Sequence, residues 1–125
     1  MNLRYRILWI DGIAALLAGI FVLLTTDWLT EWYNMPREML LFIAVVNLTY
    51  ATYSLSIAML KKRPLVLIII LVIANLIWAT NCLRLAVIFS DNASIFGLTH
   101  LVGEAMFVGG LAYLEWRYRK ILQIK

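Results

Sequence analysis

The sequence predicts an all-α integral membrane protein: a four-transmembrane-helix antiparallel bundle with short loops and both termini inside. Three observations predict it. Four apolar runs each extend about 20 residues or more, enough to cross roughly 30 Å of hydrocarbon at 1.5 Å per residue. The segments between them alternate in charge, and aromatic residues gather at the ends of the runs. The composition agrees. Of 125 residues 64% are hydrophobic, and the mean hydropathy is +0.89. A soluble domain of this size could not bury that much apolar surface, whereas lipid solvates it. Gly and Pro are sparse and no linker is visible, so residues 1–125 read as a single transmembrane domain.

The spans fall at about 7–26, 39–60, 65–89 and 95–116. Each must be helical, because backbone polar groups in hydrocarbon have to be paired within their own segment. Arg4 and Arg6 precede the first span, Lys61, Lys62 and Arg63 join the second to the third, and Arg117, Arg119, Lys120 and Lys125 follow the fourth. The other two connections carry Asp27, Glu31, Glu38 and Asp91 against Arg37. By the positive-inside rule both termini and the middle loop are cytoplasmic, giving a multi-pass protein of a bacterial inner membrane or its equivalent. The net charge of +4 then needs no nucleic-acid partner: nine of the eleven basic residues meet anionic headgroups of the lipid bilayer at that cytoplasmic face.

Tyr5, Trp9, Trp116 and Tyr118 mark the inner ends of the first and fourth spans, and Trp28, Trp32 and Tyr33 the outer end of the first. Residues 28–36, WLTEWYNMP, read as a short amphipathic turn along the outer interface. Asn34 or Met35 should cap the second span, with Pro36 in its first turn. The first run is too long for a signal-peptide core and lacks a small-residue exit. The lone Cys82 lies within the third span, so there is no intrachain disulfide or thiolate cluster. Gly109-Gly110 reads as a close helix contact.

Residues 47–58 echo residues 75–86, six of twelve positions being identical. Each copy carries an Asn and small residues on one helical face, as a remnant of an inverted repeat or as convergence on one packing surface.

Ionisable groups within the spans are the functional lead, since charge in hydrocarbon is costly and turns toward the bundle interior. His100 and Glu104 are four apart and share a face. Arg84 lies at a compatible height on the neighbouring antiparallel helix. A cluster of Glu104, His100, Arg84 and Asn81 is expected in the outer half, as a ligand or proton site or as a buried pair fixing helix register. Secondary polar positions are Asp11, Asn47, Asn75 and Tyr53. Asp11 is expected about 8 Å on the cytoplasmic side of the midplane, near Tyr53, Ser56 and Tyr113, as a protonation site or as an interfacial residue with water access. Glu115 reads as an end residue among basic neighbours.

No catalytic set can be assembled, and neither a metal site nor a cofactor is expected, so the chain does not read as an enzyme. In length and layout it is similar to small multidrug resistance transporters, and in length to dual-topology fluoride channels. The first group's glutamate pattern in span one is missing, as are the second's glycine-rich opening and phenylalanine pairs, so no residue roles carry over. Two functions fit: a proton-linked small-solute transporter, or a non-catalytic scaffold, accessory subunit or lipid-binding protein. Small-residue faces suggest a homo-oligomer, most simply a dimer.

Overall fold

The computed structural model describes residues 6–124, so Arg4, Tyr5 and Lys125 lie outside the described residues. Six helices follow in order: α1 (Ile7–Leu24), α2 (Thr26–Tyr33), α3 (Arg37–Ala58), α4 (Leu65–Ile88), α5 (Ile95–Arg117) and α6 (Arg119–Leu122). Four of these, α1, α3, α4 and α5, are long and apolar enough to cross a membrane. Their outward surface is what lipid requires. Leu24 is 78% exposed and Met106 72%, and large apolar side chains lie open along all four helices. Such a continuous apolar exterior would aggregate in water.

The bundle is two antiparallel hairpins, α1 against α3 and α4 against α5, meeting across a looser seam. Glycine sets the first hairpin's approach. A Cβ on Gly12 would come within 2.7 Å of the Leu55 side chain, and one on Gly19 within 2.8 Å of Leu48 and 3.1 Å of the Ala44 carbonyl. The expected close contact at Gly109-Gly110 is not where the tight packing lies. A Cβ on Gly109 would meet Ala79 at an ordinary 3.9 Å, and one on Gly110 would meet nothing within 4 Å.

The first span ends two residues earlier than expected. The Thr25 and Thr26 hydroxyls donate to the carbonyls of Phe21 (2.6 Å) and Val22 (2.7 Å), adding side-chain donors to the last carbonyls of α1. The chain then turns into α2, which buries Leu29 and Tyr33 and exposes Trp28 and Trp32. The amphipathic segment is thus a real helix that begins earlier than residue 28. Asn34 takes the left-handed conformation (φ 53°) and ends α2 rather than starting α3. Asparagine tolerates this region better than branched residues do. Pro36 stands at the N-cap of α3, one position before its first turn, and Pro64 does the same for α4.

Two apolar clusters fill the core. Val22, Leu29, Tyr33, Leu40, Cys82 and Leu101 belong to the cluster beside α2, and Leu8, Ile57, Ile68, Leu71, Leu111 and Leu122 to the cluster beside the termini. At the terminal end Arg63 is a clasp rather than a free cation. It is 8% exposed, and its guanidinium donates to the carbonyls of Ile57 (2.8 Å), Ala58 (3.1 Å) and Leu122 (2.7 Å). Its backbone pairs with Ile124 in both directions, at 2.8 and 2.9 Å. A cation is thereby placed at the negative C-terminal ends of α3 and α6. Burial draws the guanidinium below its ordinary pKa, yet arginine stays charged.

Candidate functional site

Polar side chains meet in the seam between the hairpins, in two groups with a cavity running past both. The first group centres on Glu104 of α5. Asn47 of α3 donates to its Oε1 at 2.8 Å while its amide also reaches the Ile43 carbonyl at 3.1 Å. The Cys82 thiol of α4 lies 3.6 Å from Oε2. His100 Nε2, one turn above on α5, stands 3.9 Å from the same oxygen. The other ring nitrogen, Nδ1, is 3.0 Å from the Tyr33 hydroxyl of α2. Burial first, and the Glu104 carboxylate second, push the Tyr33 phenol above its ordinary pKa, so at neutral pH it keeps its proton. A phenol donating to Nδ1 places the hydrogen of neutral imidazole on Nε2, facing Glu104. Tyr33, His100 and Glu104 thus form a chain from α2 into the seam.

Close packing holds that chain. Ser94 begins α5, accepts from Gly97 N–H at 3.3 Å, and donates through its hydroxyl to the Trp32 carbonyl at 2.7 Å. A Cβ on Gly97 would meet the Tyr33 carbonyl at 3.0 Å, so glycine lets α5 start close against α2 without displacing its backbone.

Arg84 does not join this group. It is exposed, and its guanidinium donates only along its own helix, to Asn81 Oδ1 at 3.2 and 3.1 Å. The expected Arg84–Glu104 partnership is replaced by Asn47, Cys82 and His100, and Asn81 goes with Arg84. The reason is angular. At about 100° per residue, the nine positions from Asn75 to Arg84 bring the arginine about 180° away from the buried face of α4. That face carries Leu71, Asn75, Trp78, Cys82 and Leu85.

The second group is Asp11 of α1, Asn75 of α4 and Glu115 of α5. The Asn75 amide donates to Asp11 Oδ2 at 3.0 Å and to Glu115 Oε1 at 2.7 Å. All three are buried: Asp11 4% exposed, Asn75 2% and Glu115 0%. Of the two readings of Asp11, its burial sets aside the interfacial one, although its carboxyl still lines the cavity, and Tyr53, Ser56 and Tyr113 are not its hydrogen-bond partners. Tyr53 instead donates to the Leu67 carbonyl at 2.8 Å, tying α3 to α4. Glu115 is the residue that sequence reasoning missed. Its signal was present: eleven residues from Glu104 is three helical turns, so both carboxyls share one face of α5 within about 20°.

The internal echo has a spatial counterpart here. The Asn at the head of each copy reaches across the seam to a carboxyl of the other hairpin, Asn47 to Glu104 and Asn75 to Asp11. Between the two groups lies a cavity of about 310 Å³ among α1, α3 and α5. Asp11, Asn47, Thr99, His100 and Glu104 are its polar walls, and Ala14, Ala15, Ala18 and Gly103 keep it open. No Lys or Arg lines it. Among the described residues no group of three or more His, Cys, Asp or Glu side chains is arranged to hold a metal ion. No family model, curated protein or solved structure matches the chain.

Proposed function

We propose that this chain is a proton-linked small-solute transporter, set in the membrane with its termini and the α3–α4 turn on the cytoplasmic side. One observation carries the reading: a 310 Å³ cleft between α1 and α5, lined by Glu104, His100 and Asp11 in an otherwise apolar bundle and open to the outside past Thr99, Gly103 and Phe107. Its volume lies at the small end of the range typical of ligand sites. Ionisable groups are expensive at such depth, and they are kept where protons or polar solutes pass. The basic residues at the terminal end favour the orientation.

In this mechanism Glu104 is the group that carries the proton. Asn47 orients its carboxylate through Oε1, leaving Oε2 toward His100. His100 takes a proton on one ring nitrogen and releases one from the other, with Tyr33 fixing which nitrogen is which. A solute in the cavity meets the same carboxylate, so its binding and the proton's are linked. The loose seam between the hairpins is where one pair of helices can rock against the other.

The test is proton flux into liposomes loaded with a pH-sensitive dye. Wild-type protein should raise the flux above that of empty liposomes under an imposed pH gradient, and Glu104→Gln should cut it at least tenfold while the protein stays folded. The scaffold reading expects the opposite pattern: no flux from wild type, and lower thermal stability in Glu104→Gln. That pattern would end the transport reading.

A further inference from the structure

The geometry points to a second proton-binding station, a carboxyl–carboxylate pair formed by Asp11 and Glu115, in series with Glu104 along the cavity. The pair stands on hydrogen-bond accounting. Two carboxyl groups from different hairpins converge on one amide, whose two N–H bonds are both spent, on Asp11 Oδ2 and Glu115 Oε1. Glu115 is fully buried and its Oε2 has no donor, while Asp11 Oδ2 and Glu115 Oε1 are held together on the same Asn75 nitrogen, at 3.0 and 2.7 Å. Ionised carboxylates only accept, so two of them cannot satisfy each other; one proton between them supplies the missing donor. Two like charges in contact in a water-poor interior would also repel strongly, and such pairs titrate as a unit.

Among the described residues no ion pair reaches Asp11 or Glu115. On α3 the titratable side chain within the field of Asp11 is Tyr50, whose hydroxyl donates to the Ala74 carbonyl. On α4 the facing group is the uncharged Asn75. Arg117 donates to the Tyr113 hydroxyl at 3.1 Å, and Arg119 to the Trp116 carbonyl at 2.6 Å while lying over its ring. Arg63 is spent on the ends of α3 and α6.

Asp11 belongs both to this pair and to the cavity wall that carries Glu104 and His100. A proton taken up at Glu104 passes through water in the cavity to Asp11, and the proton already shared there leaves from Glu115 toward the terminal end. One proton enters and one leaves. The shared proton itself is independent of transport, whereas its place in a path rests on the transport reading.

Infrared spectroscopy in heavy water tests the first part, and dye-loaded liposomes the second. At pH 7 the wild type should show a protonated-carboxyl stretch that disappears in Glu115→Gln and survives in Glu104→Gln. A spectrum unchanged by Glu115→Gln overturns the shared proton. Asp11→Asn serves as the second variant should Glu115→Gln fail to fold, and it must alter the same band. In the flux assay Glu115→Gln should lower the rate at least tenfold. Full flux in Glu115→Gln alongside lost flux in Glu104→Gln overturns the series arrangement and leaves the transport reading standing. Absence of wild-type flux removes both the path and that reading, and the infrared result still decides the pair.

Discussion

Replacing Asn75 by Leu should destabilise the bundle more than any other single polar-to-apolar change in the seam. The side chains are similar in size, so the loss is of two donors rather than of volume. Asn75 gives one N–H to Asp11 and one to Glu115. Interhelical hydrogen bonds within membranes are worth about 0.6 kcal/mol on average and up to about 1.7. Leaving a buried acceptor without its donor costs about 1–3 kcal/mol, the lost bond included. With two acceptors left so, the expected loss is about 2–6 kcal/mol, a change of about thirtyfold or more in the folded-to-unfolded ratio. Detergent-denaturant titration of purified protein measures it. A triple replacement of Asp11, Asn75 and Glu115 by Leu should recover most of that loss, since an apolar core of similar volume has no polar groups to satisfy. A single variant within about 0.5 kcal/mol of wild type would refute the reasoning, because it would mean the carboxyls find other donors at no cost.

Three other outcomes are expected. Gly12→Leu should cost about 1–3 kcal/mol by forcing Leu55 away, whereas Gly110→Leu, with open space at its Cβ, should change the melting temperature little. Arg63→Met should loosen the terminal end, seen as faster proteolysis after residue 118, and Arg63→Lys should not rescue it, because one ammonium cannot span the three carbonyls that the fork reaches. Tyr33 titrates above its ordinary value of 10 in the folded protein, so its contribution is complete below pH 10 and fades as pH rises through the folded value. Melting temperature against pH should show that decline in wild type and a shallower one in Tyr33→Phe.

How much of the site could be read from the sequence differs residue by residue. His100 and Glu104 were legible as a pair because a four-residue spacing on a helix fixes their mutual direction whatever surrounds them. Asn47 and Asn75 were legible as interior amides, but not as donors to particular carboxyls. Arg84 and Glu115 were assigned the wrong way round. A charge within about one turn of a helix end can reach out of the bundle as readily as into it, and depth along the chain does not separate the two. The rotation of each helix does, and it was encoded in the spacing of Arg84 from Asn75 and of Glu115 from Glu104. Reading it required knowing which face of each helix was buried.

The sequence by itself determined the number of long helices, their approximate ends and the apolar character of their surface, because hydrocarbon length and backbone pairing leave no other solution for such runs. Tertiary structure alone decided that the helices pair as α1 with α3 and α4 with α5, that Arg63 clasps two helix ends, and that Asp11 meets Glu115. Those choices depend on the few close approaches that Gly12, Gly19 and Gly97 permit. Packing at these points sets rotation and stagger together, and no periodicity within one helix specifies its stagger against another.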